Sequence, residues 1–170
     1  MATLYLMLGY PGSGKTTVAH IISELTGAHH VWADQERYEQ LATPTYSADE
    51  NEVLYSGLNA KTAKLLEAGA SVIFDTAFNH FLDREKLRRI AQFHQADTVV
   101  VWVQAPRHIA KERATTQSHH QPTRKLGDMH HEQFELLSDK LEEPRLGENT
   151  ITLDGTNITK SYVSDKLSQT

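Results

Sequence analysis

Gly9-Tyr10-Pro11-Gly12-Ser13-Gly14-Lys15-Thr16 decides the reading of this chain, because its glycines, lysine and hydroxyl residue stand at the spacing of a phosphate-binding P-loop. The context agrees with the pattern. Residues 3–8 upstream form an almost wholly apolar run of strand length, and downstream Val18, Ile22 and Leu25 recur at the spacings of one helix face. Strand, glycine loop and helix thus converge on one concavity, where backbone N–H groups and a helix N-terminus worth ~0.5 of a positive charge favour an anion. The glycines let the backbone approach phosphate oxygens, Lys15 reaches the β and γ phosphates, and the Thr16 hydroxyl takes a place on Mg²⁺. The expected nucleotide-binding residues are therefore Gly9, Pro11, Gly12, Ser13, Gly14, Lys15, Thr16 and Thr17.

Working outward, Gly27 follows the last periodic residue as a helix stop, and residues 29–33 leave room for one brief strand closed by Asp34. Pro44 breaks the chain. Ser47-Ala48-Asp49-Glu50 then has capping-box spacing, opening a helix whose apolar positions Leu54, Leu58 and Leu65 run on to Gly69. Ser71-Val72-Ile73-Phe74-Asp75 and residues 98–103 are continuously apolar, as strands buried on both faces are, and residues 150–153 form a weaker run. Helical stretches carrying Leu87, Ile90 and Ala91, then Phe134, Leu137 and Leu141, lie between them. Five strands alternating with helices predict an α/β fold with a parallel sheet covered on both faces. Residues 115–128 are polar, hold Pro122 and Gly127, and read as a loop or flap.

Composition bounds the rest. At 170 residues, with 39% hydrophobic and 23% charged residues, the chain reads as one globular domain. It has no cysteine, so a disulfide framework, a thiolate-held zinc and a thiol nucleophile are excluded. No apolar run approaches a membrane span, and none has the form of a signal peptide, so the expected place is the cytoplasm with no membrane partner. The net charge of −5 argues against general affinity for nucleic acid. It hides an asymmetry, since residues 83–125 carry nine Lys or Arg against four Asp or Glu. Arg84, Lys86, Arg88 and Arg89 in that segment read as a solvated helix face.

The chain resembles the P-loop kinases, and among them the group containing polynucleotide 5′-hydroxyl kinase domains, zeta toxins, chloramphenicol phosphotransferases and small AAA-type ATP-binding proteins. The resemblance covers nearly the whole chain. It rests on Gly9 through Thr17, on Asp34-Gln35-Glu36-Arg37, on Val72-Ile73-Phe74-Asp75-Thr76, and on Ala105-Pro106 followed by Glu112-Arg113. It implies a three-layer P-loop NTPase sandwich with strand order 2-3-1-4-5, ATP and Mg²⁺ as cofactors, an acceptor-binding segment at about 34–68 and a lid at about 113–128. It further implies that Asp34 accepts the proton of an acceptor hydroxyl and that Arg113 covers the transferring phosphate. A second lid arginine is usual a few residues later. Gln117 stands there instead, so either Arg124 swings in from the flap or the lid uses histidine or a single arginine.

Each candidate has a plainer alternative. Asp34 also suits the N-cap of the next helix, and Asp75, placed at the end of a strand where a carboxylate holds Mg²⁺, also suits a turn cap. Arg37, one turn after Asp34, faces the acceptor, pairs with Glu36, or is solvated. Of ten histidines, the adjacent pairs point apart and give no metal spacing, so they read as surface or lid residues. Trp32 and Trp102 read as core.

The functional expectation is an ATP-dependent kinase acting on a hydroxyl group. Between Asp34 and Glu52 stand six acidic residues and one arginine, which leans toward a neutral or cationic small alcohol and away from a polynucleotide acceptor. An NTPase or ATP-binding adaptor without an acceptor is the other alternative. The guanine-specificity and transport-ATPase signatures are absent from the sequence.

Overall fold

A computed structural model describes residues 1–41, 44–77, 79–116, 123 and 127–169. Five strands, β1 (Thr3–Leu8), β2 (His29–Trp32), β3 (Val72–Asp75), β4 (Asp97–Gln104) and β5 (Thr150–Asp154), form one sheet in the order β2-β3-β1-β4-β5. Every pairing is parallel; Leu6, for example, lies between Phe74 and Val100. Parallel neighbours need long crossovers, and the helices supply them. These are α1 (Lys15–Thr26), α2 (Ala33–Gln40), α3 (Ala48–Glu67), α4 (Phe81–Phe93), α5 (Arg107–Thr116), α6 (His131–Asp139) and α7 (Lys160–Leu167).

Strand alternation sends Leu4, Leu6, Val72 and Phe74 to one face, where Leu54, Leu58 and Leu66 of α3 and Leu87 and Ala91 of α4 cover them. Met7, Ile73, Val101 and Leu153 point the other way, onto Val18, Ala19 and Ile22 of α1 and Val163 of α7. Each fully buried Leu, Ile or Phe contributes roughly 1.5–3 kcal/mol, so the three-layer sandwich follows from the two-sided apolarity of its central strands. Gly27 caps α1 at φ 73°, its N–H donating to the Ser23 carbonyl at 2.8 Å.

The structure differs from the sequence expectation in places. Leu25 is exposed, because residues 24–27 form an uncovered last turn of α1. Thr115 and Thr116 belong to α5, where their hydroxyls donate to the carbonyls of Lys111 and Glu112, satisfying a residue type that otherwise favours turns. Trp102 is half-buried, and Trp32, although buried, borders the cleft described below. The largest difference is Arg84, which is among the largest fully buried side chains. Its guanidinium meets the buried Glu148 carboxylate through two bonds of 2.8 and 2.9 Å and donates to the carbonyls of Asn79, Glu142 and Glu143. Lys86 and Arg89 remain exposed, as a solvated face requires. Among the described residues, no helix is long and apolar enough to cross a membrane.

Candidate active site

Leu8 ends β1 at the carboxyl edge of the sheet, and the loop to α1 closes on itself through the Ser13 N–H donating to the Tyr10 carbonyl at 3.0 Å. Gly9, Gly12 and Gly14 have φ of 146°, 79° and 106°. A Cβ would stand 2.3 Å from the Val103 carbonyl oxygen at Gly9, 2.2 Å from that of Ala110 at Gly12 and 2.5 Å from Ile158 Cδ1 at Gly14. The glycines therefore serve the protein's own packing, since β4, α5 and the loop after β5 press on the back of the P-loop. Lys15 is buried and bridges the loop, its Nζ donating to the carbonyls of Gly9 and Tyr10 at 2.9 Å each. That fixes the ammonium beside the loop whose N–H groups gather an anion.

Pro11, Gly12, Gly14, Lys15, Thr16 and Thr17 line one end of a cleft of about 1330 Å³, whereas Gly9 and Ser13 lie behind it. The same cleft is lined by Asp34 and Arg37 of α2, by Tyr46, by Asn51 and Tyr55 of α3, and by Gln133, Leu136 and Leu137 of α6 with Lys140 at its C-terminal end. Thr76, Ala77, Asn79 and His80 of the β3–α4 segment also line it.

Asp34 lines this cleft in the first turn of α2, where the helix dipole favours a carboxylate. Trp32 is the N-cap residue, so Asp34 does not hold that position. Asp75 ends β3 with its carboxylate 3% exposed, opening onto the cleft that Thr16 also lines. His80, not Asp75, is the N-cap of α4. Mg²⁺ at a phosphate site takes one or two protein oxygens besides phosphate and water, and the Thr16 hydroxyl with a buried carboxylate fits that donor set. Among the described residues, no group of three His, Asp or Glu side chains forms a metal cage.

Arg37 neither pairs with Glu36 nor sits in solvent. It is 4% exposed, reaches the Glu50 carboxylate, donates to Asn51 Oδ1 at 2.8 Å and stacks 4.5 Å from the Tyr46 ring centre. It thereby ties α2 to the start of α3 while bordering the cleft. Ser47 caps α3 by accepting from the Glu50 N–H at 3.2 Å, but the Glu50 carboxylate turns to the hydroxyl and N–H of Thr45 and to Arg37. Those Thr45 bonds, with Arg37 beyond them, hold its pKa at about 2. Glu36 is drawn to Lys61 and Glu39 to Gln35. Of the six acids between Asp34 and Glu52, only Asp34 lines the cleft, because helical geometry turns the others outward. The lining instead carries Lys15, Arg37, Arg113 and Lys140 against Asp34, Asp75 and Asp128, which removes the acidic wall that the sequence suggested.

Arg113 also lines the cleft, and its Nη1 donates to the Gly155 carbonyl at 2.8 Å, holding it by the loop after β5. Arg124, Gln117, His119 and His120 lie outside the described residues. Sequence reasoning missed Asn79, which is buried beside the loop and makes long contacts of 3.5 Å from the Gly9 N–H and to the Leu137 carbonyl. It also missed Tyr55, whose hydroxyl is pushed up to about 12 by burial against the opposing pull of Arg37. The cleft face of α6 was readable, since residues 133, 136, 137 and 140 share helical spacing.

A family profile described as an AAA domain matches residues 4–144, a span that includes the P-loop, Asp34, Asp75 and Arg113. The chain belongs to this AAA domain family. Structural relatives of this AAA domain share its whole fold. A provisionally assigned kinase of Chloroflexus aurantiacus aligns with a TM-score of 0.76 at 17% identity, over 99% of this chain and 97% of that one. A gluconokinase of Sinorhizobium meliloti gives 0.66 at 20% identity over 98% and 89% of the two chains. The APS kinase of Mycobacterium tuberculosis, solved with AMPPNP and APS, gives 0.68 at 16% identity over 98% and 96%. No curated protein matches the chain.

Proposed function

We propose that this AAA domain is an ATP- and Mg²⁺-dependent phosphotransferase of the cytoplasm that moves the γ-phosphate of ATP to a hydroxyl group of a small molecule. The observation that carries the proposal is the continuity of the cleft, which joins the P-loop with Lys15 to a second arm where Asp34 stands at the start of α2. An NTPase that passes phosphate to water has no need of that arm, whose lining includes Arg37, Tyr46, Tyr55, Gln133, Leu136 and Lys140. The kinases among the structural relatives support the same reading.

In this reaction Asp34 orients the acceptor hydroxyl and takes its proton as the oxygen attacks the γ-phosphorus in line with the departing ADP oxygen. Lys15 leaves its loop carbonyls for the β and γ phosphates, and the α1 N-terminus and loop N–H groups stabilise charge that grows in the transition state. Arg113 covers the transferring group from α5, and Arg124, which lies outside the described residues, is the candidate for a second lid arginine. Thr16 and Asp75 would hold Mg²⁺, which supplies charge neutralisation on the phosphates when it accompanies the nucleotide. A polynucleotide 5′-hydroxyl acceptor is the second reading, favoured by the outward turn of Glu36, Glu39 and Glu50 from the cleft. A relative within an RNA repair complex, at 22% identity and TM-score 0.67, fits it too.

The test combines binding with turnover. At a hundredfold excess over Kd, Mg-ATP should stabilise the fold by roughly 2.7 kcal/mol, and Lys15→Ala should abolish that gain. ADP release should rise above the water background with one class in a panel of small alcohols, sugars and 5′-hydroxyl oligonucleotides. An unchanged melting curve with Mg-ATP, or release that no acceptor stimulates, overturns the proposal.

A further inference from the structure

The carboxylate placed at the metal position does not stand alone. His30 Nε2 lies 3.1 Å from Asp75 Oδ2, with the two side chains 14% and 3% exposed. An ionised carboxylate can only accept, so Nε2 carries the proton of this bond. Among the described residues, no other hydrogen bond reaches the Asp75 carboxylate, and Asp75 lines the cleft.

The His30 ring is itself held on its other sides. Alternation along β2 puts His30 and Trp32 on one face, and their rings stack at 5.5 Å with an interplanar angle of 4°. His20 of α1 meets both edge-on, 5.1 Å from His30 at 81° and 5.7 Å from Trp32 at 84°. Two rings, one from a helix and one from the same strand, therefore fix the His30 imidazole against one carboxylate, at the edge of the cleft that Thr16, His20, Trp32 and Asp75 share. A core needing only apolar filling here would gain nothing from an imidazole whose donor must find a partner.

We propose that His30 is a positioning residue that holds the Asp75 carboxylate in the rotamer presenting one oxygen to the cation of the bound nucleotide. The proposal rests on the phosphotransferase reading only through the metal role of Asp75. Partners that hydrogen-bond a metal-binding carboxylate commonly matter by roughly 10–100-fold in metal affinity, because they fix ligand orientation before the ion arrives. The ring stack adds that constraint from outside the site. Its far member, Trp32, is the N-cap residue of α2, the helix that carries Asp34.

The experiment measures Mn²⁺, a paramagnetic stand-in for Mg²⁺, binding by electron paramagnetic resonance to the protein complexed with a non-hydrolysable ATP analogue, at one fixed pH. The affinity of the analogue in EDTA is measured alongside. His30→Phe keeps a ring on Trp32 and removes the donor, whereas His30→Gln keeps an N–H donor on a shorter reach. His30→Phe should weaken Mn²⁺ binding by roughly 10–100-fold and leave metal-free analogue affinity unchanged, with His30→Gln recovering part of the loss. In an Asp75→Asn background, His30→Phe should have no further effect on Mn²⁺. Unchanged Mn²⁺ affinity in His30→Phe, where Asp75→Asn alone weakens it, overturns the positioning role and spares the metal role of Asp75. Equal losses in metal-free binding, Mn²⁺ binding and melting temperature also overturn it, showing that the ring only supports the fold. If Asp75→Asn leaves Mn²⁺ affinity intact, the assignment beneath the proposal is the part that fails.

Discussion

Arg84→Met tests the buried packing behind Asn79, a residue that lines the cleft. The Arg84 and Glu148 side chains are each 1% exposed, and the guanidinium also satisfies the carbonyls of Asn79, Glu142 and Glu143. Methionine keeps much of the volume but leaves the Glu148 carboxylate buried with the Arg145 N–H, at 2.7 Å, as its remaining described partner. Breaking a buried pair from one side costs roughly 3–5 kcal/mol, because the surviving charge stays desolvated. For a chain of this size each kcal/mol moves Tm by about 2–4 °C, so the variant should melt roughly 6–20 °C lower. Urea unfolding followed by circular dichroism gives the free energy directly. Removing both charges in Arg84→Met/Glu148→Leu should cost less than Arg84→Met alone, since the stranded carboxylate is gone.

The pH dependence gives a second readout of the same pair. Burial alone would raise the Glu148 pKa, but the Arg84 bonds and the Arg145 N–H hold it below the ordinary 4.5. A lowered folded pKa means the pair's stabilisation is complete above pH 4.5 and fades as pH falls through the lowered value. Arg84→Met should flatten that acid-side slope. A loss under ~1 kcal/mol, the range of a solvent-exposed pair, would mean that Arg84 and Glu148 are not desolvated together in solution.

Two further outcomes follow from the same geometry. Gly12→Ala forces a Cβ to within 2.2 Å of the Ala110 carbonyl oxygen at φ 79°, so it should lower stability and abolish the Mg-ATP melting shift; normal binding would mean the loop is not gripped by α5. Glu50, held at about 2 against an ordinary 4.5, stabilises the α2–α3 junction above pH 4.5 and loses that effect as pH falls toward 2, so Glu50→Gln should flatten the acid arm of a Tm-against-pH curve. An unaltered arm would mean Thr45 and Arg37 do not hold that carboxylate in solution.

What was legible in the sequence was local or periodic. The run into Gly9, the helix after Lys15 and the apolar strand ending at Asp75 each declare themselves within a few residues, and the sheet order came with the family resemblance. Asp34 and Asp75 were readable because Asp75 ends β3 and Asp34 follows β2 by two residues, both at the carboxyl edge where open α/β sheets bind ligands. The side-chain partnerships were not. Arg84 finds Glu148 across 64 positions, His30 finds Asp75 across 45, and Arg37 finds Glu50 across 13, separations at which spacing carries no signal. The same blindness made the six acids from Asp34 to Glu52 look like a wall, whereas only Asp34 among them lines the cleft.

Transfer of label from [γ-³²P]ATP to the panel of hydroxyl acceptors, by the parent protein and by Asp34→Asn, addresses the central claim most directly. Asparagine keeps the size and removes the charge, and Asp34 is not the N-cap of α2, so the fold and the ATP-induced melting shift should persist. Label should appear in an organic phosphate with the parent protein and fall by roughly 10²-fold or more in the variant, the scale of a lost general base. Label found only in inorganic phosphate, and released equally by both proteins, would contradict the account.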